Sequence, residues 1–391
     1  MGPPSGSAAP APAVLIVGAG IAGLAAATLL GRAGWSVRVV ERDSEMRGGG
    51  FLVSLSHDAY RAADRLGVID PLRARVHHIR RSSYHDPRGH RLLSLDYERL
   101  FGPLDVIQPM RNDLAIALLA CLPETVRIDR GVEPTRIAHR PDGAEVSLSD
   151  GTDAAYDVVI GTDGVHSATR RLAFADVPIA RHSLGLFCAA YRLPNVLGLE
   201  REFRTYMERD RYMACFATAP DEIGAVFVWA EAADAPPADP AARASLLRDA
   251  FRGAAPETSQ ALAHCPDSRS FYMDRLEQVE LARWHEGRVC LVGDAAHCLT
   301  LFSGRGAAAA LVGATRLADR LIEAPDDPTG AFARHQADQK PKIDAMQRAT
   351  REAVKWYVPR SRAIETMRNS AMRVLPRRVF ESYFQAKYRT V

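Results

Sequence analysis

The fold signal is strongest at residues 14–41, which read VLIVGAGIAGLAAATLLGRAGWSVRVVE. A short apolar run ends in glycines, a stretch rich in alanine and leucine follows, and a second apolar run closes at Glu41. This order predicts a strand, a tight turn, a helix and a second strand, together a βαβ unit of about 30 residues. The glycines of the turn, Gly18, Gly20 and Gly23, have G-x-G-x-x-G spacing. The stretch therefore predicts a Rossmann-like nucleotide-binding fold.

Each position of this turn has a physical role. Gly18 permits the tight turn, Gly20 lets the backbone approach a pyrophosphate, and Gly23 lets the helix and the strand pack closely. The predicted helix begins at Ile21, and Ala22 follows in its first turn. The free N–H groups of this turn and the positive end of the helix dipole, about half a unit charge, therefore face the phosphates. We predict that these five residues bind the pyrophosphate of a dinucleotide.

An acidic residue ends the second strand and narrows the choice of ligand. Glu41 lies 23 residues after Gly18 (41 − 18), where a carboxylate accepts a hydrogen bond from a ribose hydroxyl. The same carboxylate repels a 2′-phosphate, so it disfavours NADP in this site and leaves NAD and FAD as alternatives. Arg42 and Arg47 follow it and are included in the predicted cofactor site.

The composition is that of a globular protein without polyanion-binding character. The chain has 391 residues, of which 47% are hydrophobic and 25% charged, and 50 basic and 47 acidic side chains leave a formal charge of +3. Only four of the basic residues are lysines and 46 are arginines, a bias typical of GC-rich coding sequences. A near-neutral balance predicts a small-molecule substrate and gives no electrostatic footprint for nucleic acid.

The cysteines and the N-terminus predict a cytoplasmic protein. The six cysteines form no C-x-x-C pair and most lie in apolar runs, which indicates buried, reduced thiols. Residues 1–12 lack the basic start and apolar core of a signal peptide and predict a flexible lead-in. No apolar run reaches the ~18 residues of a membrane-spanning helix. We expect no membrane partner, no metal site, and a monomer or homodimer.

Beyond the βαβ unit, the chain changes pattern several times. Residues 104–121 predict a strand and a helix, and 125–161 predict an antiparallel β-meander because short alternating runs are split by turn pairs. Residues 180–275 are rich in aromatics and predict further antiparallel strands. The last 60 residues predict helices broken at Pro359 and Pro376. The order is a nucleotide-binding unit, an antiparallel insert, a return to the nucleotide-binding unit, and C-terminal helices.

Two further segments carry Asp-Gly and Gly-Asp motifs. They are DVVIGTDGVHSATRR at 157–171 and GRVCLVGDAAHCLTLFSGRGAAAALVGA at 287–314. With the first motif, their order and spacing resemble the flavin-dependent aromatic hydroxylases, the para-hydroxybenzoate hydroxylase-like monooxygenases, over nearly the whole chain. The resemblance implies an α/β fold in which a Rossmann-like FAD-binding domain of glutathione-reductase type carries an inserted antiparallel β-sheet substrate domain and a helical C-terminus. The disulfide-reductase relatives fit less well, since no second G-x-G-x-x-G and no C-x-x-C occurs.

The resemblance also implies domain boundaries and cofactor contacts. The FAD-binding domain comprises 13–75, 100–178 and 277–330, the substrate domain comprises 76–99 and 179–276, and residues 331–391 form C-terminal helices. Asp294 contacts the ribityl–pyrophosphate part of FAD, Arg111 lies beside the cofactor, and Asp163 bridges FAD and a transient NAD(P)H site. The further cofactor residues that it implies are Gly164, Gly293, Gly304, Gly306 and Ala307, the last three at a helix N-terminus that faces the flavin.

The third motif departs from the family at three positions. Leu301 stands where the family usually has proline, and Ala308 stands where asparagine is frequent. The family also usually has a glutamine or glutamate near Arg305. The proline helps to shape the face where oxygen reacts, so its loss bears on redox chemistry rather than on FAD binding. Arg305 is open to two interpretations, a cation that holds anionic flavin or a solvated side chain.

The leading hypothesis is an FAD-dependent monooxygenase that hydroxylates or epoxidises an aromatic or polyketide-like molecule with NAD(P)H and O2, in natural-product or antibiotic biosynthesis. The alternative is a monooxygenase-like cyclase (a pericyclase) that keeps FAD as a scaffold for non-redox ring formation, and a non-catalytic FAD-binding regulator is a third hypothesis.

The substrate pocket is predicted to lie in the antiparallel insert. Tyr212 and Phe216 alternate onto one strand face and Phe227 and Trp229 onto another. Either pair is a candidate lining, with aromatic core packing as the competing interpretation.

No catalytic residue follows directly from the sequence. His297 and Arg305 are the candidates, because both lie within the third motif. His77 and His78 adjoin a basic run and predict a surface position. No Ser–His–Asp arrangement stands out, and the catalytic base stays unassigned.

Overall fold

The computed structural model describes residues 11–45, 51–76, 79–102, 105–266 and 271–388. Most of the predicted N-terminal lead-in, Arg47, His77 and His78 lie outside these residues. The strands are β1 (Ala13–Val17), β2 (Ser36–Glu41), β3 (Leu55–Ser56), β4 (Arg81–His85), β5 (Arg91–Asp96), β6 (Val106–Ile107), β7 (Arg127–Arg130), β8 (Pro134–His139), β9 (Ala144–Leu148), β10 (Asp153–Tyr156), β11 (Val158–Gly161), β12 (Ile179–Pro194), β13 (Glu202–Met207), β14 (Arg211–Ala219), β15 (Glu222–Ala230), β16 (Tyr272–Leu281), β17 (His285–Glu286) and β18 (Val289–Leu291). The helices are α1 (Ile21–Arg32), α2 (Asp58–Leu66), α3 (Ile69–Arg73), α4 (Tyr97–Phe101), α5 (Arg111–Ala120), α6 (Ala168–Ala173), α7 (Pro240–Ala250), α8 (Pro256–Ala263), α9 (Asp294–His297), α10 (Gly306–Glu323), α11 (Pro328–Tyr357), α12 (Arg362–Val374) and α13 (Arg377–Tyr388).

A six-stranded sheet in the order β17-β18-β11-β1-β2-β7 holds the three sequence motifs. From β18 to β7 all neighbours are parallel, and only the short β17 is antiparallel. The apolar runs of β1 and β11 are buried because the sheet is covered on both faces. One face packs against α1 and α10, and the other packs mainly against the strands β8, β9 and β10. The βαβ unit predicted from residues 14–41 is confirmed as β1, α1 and β2. The motif turns lie at the carboxyl ends of β1, β11 and β18, and those ends meet at one edge of the sheet.

The meander predicted for 125–161 is only partly right. Strands β8, β9 and β10 form a separate antiparallel sheet, as expected. By contrast, β7 joins the parallel sheet beside β2. The almost wholly apolar segment YDVVIG at the end of this range predicts a strand buried on both faces, and this is confirmed, since β11 is buried in the six-stranded sheet. An ion pair of 2.7 Å between Arg38 Nε and Asp129 Oδ2 joins β2 and β7, and the local alternation of β7 does not reveal this long-range contact.

The second large sheet has seven strands in the order β16-β12-β15-β14-β13-β4-β5. It is antiparallel except where β13 pairs parallel with β4. The two strands predicted around Pro220 are confirmed as β14 and β15, and the segment near 272 adds β16. One face of this sheet packs against α7 and α8, whereas the other faces the region of Phe302 and Tyr357.

The C-terminal region is helical, as predicted. Helix α11 ends before Pro359 and α12 ends before Pro376, because proline cannot donate the backbone hydrogen bond that continues a helix. All six cysteines are free, and four of them are buried. In the part of the chain that the structure describes, no helix combines the length and apolarity needed to cross a bilayer. The α/β fold class predicted from the sequence is confirmed.

Candidate active site

The glycines of the first motif differ in what surrounds them. Gly18 has φ of +105°, and a Cβ there would lie 2.8 Å from the Thr162 carbonyl carbon. A Cβ at Gly23 would lie 1.9 Å from the Gly18 oxygen, so α1 packs directly on the turn. At Gly20, by contrast, an added Cβ meets no heavy atom within 4 Å. The turn is therefore closed towards the protein and open in front of α1.

The Glu41 carboxylate lies beside this opening. Its Oε2 accepts a hydrogen bond of 2.8 Å from the Ala19 N–H, and its Oε1 accepts one of 2.9 Å from the Asp43 N–H. Two backbone donors thus hold the carboxylate at the end of β2, next to the glycine turn. The side chain of Arg42 is about half exposed, 4.0 Å from Asp43 Oδ1.

The second motif is tied to the first through backbone and hydroxyl contacts. Thr162 Oγ1 donates to the carbonyl oxygens of Val17 and Gly18, each at 2.8 Å. Asp163 receives hydrogen bonds from Ser167 Oγ (2.5 Å) and from the Thr169 N–H (2.9 Å). The Asp163 carboxylate therefore stabilises the start of α6. Gly164 follows it with φ of +78°.

A buried arginine that the sequence did not single out joins the second and third motifs. Arg170 is 2% exposed and donates from Nη1 to the Ala295 oxygen (2.8 Å) and from Nη2 to the Val165 oxygen (2.5 Å). Burial lowers the pKa of its guanidinium. The available signal was the position of Arg170 in the short helix directly after the Asp-Gly pair, but its partner on α9 is 125 residues away.

The third motif places an acidic side chain at the cleft, the region in front of α1 where the carboxyl ends of β1, β11 and β18 meet. Gly293 has φ of +65° and approaches Ala22 of α1, since a Cβ at this glycine would lie 3.4 Å from the Ala22 Cβ. Asp294 follows at the start of α9 and is accessible from the cleft. The surrounding protein desolvates the carboxyl and raises its pKa, and the positive charge of Arg111 opposes that shift. Arg111 itself begins α5.

The N-terminus of α10 forms the next wall of the cleft. Gly304 has a left-handed φ of +65°, and Arg305 precedes α10 with its N–H 3.0 Å from Ser303 Oγ. The Arg305 side chain is 9% exposed, so the solvated interpretation is wrong. A Cβ at Gly306 would meet no heavy atom within 4 Å. Ala307 lies on the first turn of the same helix.

These features fit an FAD molecule. The backbone leaves open space at Gly20 and at Gly306, which begin two different helices of the cleft. The Thr300 hydroxyl oxygen is buried and has no hydrogen-bond partner among the described residues. Helix N-termini bind phosphate and stabilise negative charge. Gly20, Glu41 and Asp294 are therefore suited to hold the adenosine and pyrophosphate part, and the α10 N-terminus is suited to the flavin.

A cavity of about 190 Å³ opens beside the α10 N-terminus and extends under the seven-stranded sheet. Gly304, Leu301 and Phe302 form its wall on the cofactor side. Tyr212 and Phe216 line it from β14, in agreement with one of the two predicted pairs. Burial raises the pKa of the Tyr212 phenol, so this side chain stays neutral.

Phe227 and Trp229 do not line this cavity, which corrects the prediction for the second pair. They lie on the opposite face of the sheet and pack edge-to-face on Phe251, with ring centroids 5.2 and 6.1 Å away. Phe251 ends α7, so these side chains form the core between the sheet and its helices. Aromatic core packing was the competing interpretation, and for this pair it is the correct one.

His297 is also placed away from the cavity. Its ring packs on Trp284 with centroids 4.7 Å apart, and it is 4% exposed. Burial lowers its pKa to about 4. The same cluster holds His335, whose pKa burial lowers to about 3. His297 is therefore a neutral core residue rather than a catalytic base.

Two polar residues that line the cavity were not identified from the sequence. Gln108 and Ser54 line it, and Gln108 Nε2 donates a 2.9 Å hydrogen bond to Ser54 Oγ. They flank the short antiparallel ribbon of β3 and β6. The only signal for Gln108 was a polar residue in an apolar strand three positions before Arg111.

Cleft and cavity together define an FAD-dependent oxidoreductase with a separate small-molecule pocket. Residues 12–330 match the model of the family described as "FAD binding domain", and the chain belongs to this family. It is 31% identical over 338 residues to a flavin-dependent monooxygenase of Legionella longbeachae serogroup 1 (strain NSW150), covering 86% of this chain and 87% of the relative.

Two other proteins show the same similarity. The 3-amino-4-hydroxybenzoate 2-monooxygenase PtmB3 of Streptomyces platensis is 29% identical over 362 residues, 87% of each chain. The crystal structure of tetracycline destructase Tet(51) has 29% identity and a TM-score of 0.79, covering 96% of this chain and 98% of that chain. The predicted resemblance, enzyme class and FAD cofactor are confirmed.

Proposed function

We propose that this protein uses NAD(P)H and dioxygen to insert one oxygen atom into an aromatic or polyketide-like small molecule. The observation that carries the proposal is the aromatic cavity that ends at the α10 N-terminus, where Gly304, Leu301 and Phe302 form the shared wall. In the balanced reaction, substrate, O2, NAD(P)H and one proton yield the hydroxylated or epoxidised product, water and NAD(P)⁺. When bound, FAD accepts the electrons of NAD(P)H and activates dioxygen.

The residues of this chain bind and orient in that reaction. The α1 N-terminus and Glu41 hold the cofactor at one end, and Asp294 holds it where the three motifs meet. The positive end of the α10 dipole, about half a unit charge, stabilises negative charge that develops on the flavin side of the wall. Arg305 precedes α10 and adds a full positive charge near the same helix end.

The cavity supplies orientation and excludes water. Its aromatic walls bind a flat substrate through apolar surface burial. Expelled water strengthens the electrostatic interactions that remain. Relatives named for 3-amino-4-hydroxybenzoate and for tetracycline support a role in tailoring or modifying a natural product.

The test is a stoichiometric assay with purified, FAD-loaded protein. Candidate aromatic compounds are screened for stimulation of NADH or NADPH oxidation, and each hit is repeated under isotopically labelled dioxygen with mass spectrometry of the product. The proposal predicts equal consumption of NAD(P)H and O2 and one labelled oxygen per product molecule. Product that forms without NAD(P)H consumption and without label would refute it and support the cyclase alternative.

A further inference from the structure

The substrate cavity carries no charge on its described lining. Ten of its 21 lining residues are aromatic and none is Asp, Glu, Lys, Arg or His. Its non-aromatic polar groups are Ser54, Gln108, Ser82 and Thr205. A carboxylate that enters such a site loses its hydration without gaining a cation from the residues that line the cavity, which is unfavourable.

Two arginines lie close to the cavity without lining it. Arg204 lies between the lining residues Phe203 and Thr205, but strand alternation points it to the other face. There its Nη2 contacts Glu202 Oε2 at 2.7 Å. Arg368 is fully buried, its Nη1 donates to the Tyr357 oxygen at 3.1 Å, and its Nη2 has no hydrogen-bond partner among the described residues. Neither arginine is among the residues that line the cavity.

Two phenylalanine rings in the wall of the cavity are parallel. The rings of Phe203 and Phe216 lie parallel, with an interplanar angle of 4° and centroids 5.6 Å apart. Gly224 is the cross-strand partner of Phe216, and a Cβ at this glycine would lie 2.8 Å from the Phe216 ring. The glycine thus makes room for the ring in its observed orientation. Aromatic rings in the wall favour an aromatic substrate, on which they stack or pack edge-to-face.

The polar pair on the β3–β6 ribbon offers one donor and one acceptor. Because Gln108 Nε2 donates to Ser54 Oγ, the Ser54 hydroxyl proton is directed elsewhere and is able to donate to a ligand. The Gln108 Oε1 has no protein donor among the described residues and is able to accept. A neutral hydroxyl, carbonyl or amide matches this pair, whereas an ionised carboxylate cannot donate a hydrogen bond to Gln108 Oε1.

We infer that the substrate is an uncharged, planar aromatic compound, that Ser54 and Gln108 recognise its polar group, and that the cavity rejects carboxylates. This inference rests on the proposed function, because it assigns the cavity to the substrate of that reaction. It makes Ser54 and Gln108 specificity-determining residues. It also excludes free benzoates as good substrates for this chain.

The test uses three probes with one ring system: naphthalene, 2-naphthol and 2-naphthoate. Each is titrated into FAD-loaded protein without NAD(P)H near neutral pH, where 2-naphthol is uncharged, and binding is followed by flavin difference absorbance. We expect 2-naphthol to bind most tightly, naphthalene less tightly, and 2-naphthoate at least about tenfold more weakly than 2-naphthol. Tight binding of 2-naphthoate, or no binding of 2-naphthol, would overturn the inference.

Two variants assign the recognition to the polar pair. Gln108→Leu and Ser54→Ala each weaken 2-naphthol binding about three- to tenfold and leave naphthalene binding unchanged. If both variants bind 2-naphthol as the wild type does, the pair does not recognise the polar group. Gln108→Arg places a cation on the same ribbon, and 2-naphthoate binding should then improve at least about tenfold. Circular dichroism spectra verify that each variant is folded.

The outcomes separate this inference from the proposed function. Probe binding does not depend on turnover, so the predicted order of affinities can hold even if NAD(P)H fails to reduce the flavin. In that case the monooxygenase proposal fails and the specificity of the cavity stands. If labelled oxygen enters a carboxylated substrate efficiently, the proposed function stands and the specificity inference is wrong.

Discussion

Substitution of Gly20 by alanine separates cofactor binding from folding. A methyl group at Gly20 meets no protein heavy atom within 4 Å, and the residue has φ of −82°, which alanine adopts readily. The free energy of unfolding of the apoprotein should therefore stay constant or rise by about 0.4–1 kcal/mol. The same methyl occupies the space through which the backbone approaches the pyrophosphate. Overpacking of about 1–3 kcal/mol weakens FAD binding about five- to 150-fold.

Gly23→Ala is the matched comparison. Its Cβ would lie 1.9 Å from the Gly18 backbone oxygen, so α1 has to move away from the turn. This variant should lose both apoprotein stability and FAD affinity. Gly306→Ala, with open space at the second helix, should behave like Gly20→Ala.

The assay combines thermal unfolding of each apoprotein with an FAD titration followed by quenching of flavin fluorescence. The reasoning is refuted if Gly20→Ala lowers the apoprotein melting temperature as much as Gly23→Ala does. It is also refuted if Gly20→Ala binds FAD with wild-type affinity.

Three further predictions concern stability and pH. Arg170→Met should lower the free energy of unfolding by about 2–4 kcal/mol in urea titrations, because the buried Ala295 carbonyl and the part-buried Val165 carbonyl lose charged donors. Substitution of the exposed Arg171 by methionine should have little effect. Thr300→Gly should raise the free energy of unfolding by about 1–2 kcal/mol, because Thr300 has φ of +61° and glycine relieves that strain. An unchanged midpoint in the urea titration would show that the backbone at this position is not strained. Stability should fall as the pH drops from about 6.5 to about 4, because His297 and His335 have lowered pKa values and stay neutral in the folded state while the unfolded chain takes up protons. His335→Leu should reduce the slope of unfolding free energy against pH in that window, and an unaltered slope would show that the buried pair does not cause it.

The parts of the fold that follow from local pattern were predictable. The glycine spacing at residues 18–23 and the apolar runs on either side dictate β1, α1 and β2, because tight turns and phosphate-facing helix ends need glycine at fixed offsets. Pro359 and Pro376 end helices for equally local reasons. Such features depend on neighbours within about ten residues, so one sequence suffices to find them.

Features set by distant neighbours were not predictable. Strand β7 joins the parallel sheet through its pairing with β2, about 90 residues earlier in the chain. The alternation of side chains along β14 and β15 predicted that Tyr212 and Phe227 lie on different faces of the sheet. It did not show which of the two faces packs against α7. The sequence placed His297 in the cofactor motif, and only the packing of Trp284 shows that its ring faces the core. Gln108 acquires a role only when the ribbon brings Ser54 beside it.

Anaerobic titration of the purified yellow protein with NADH and NADPH tests the central claim most directly. If the chain is an FAD-dependent monooxygenase, one of the two nucleotides should bleach the oxidised flavin absorbance stoichiometrically, and readmission of oxygen should restore it. Flavin that stays oxidised under excess of both nucleotides, with and without an aromatic ligand that the cavity binds, would contradict the claim and leave FAD as a scaffold.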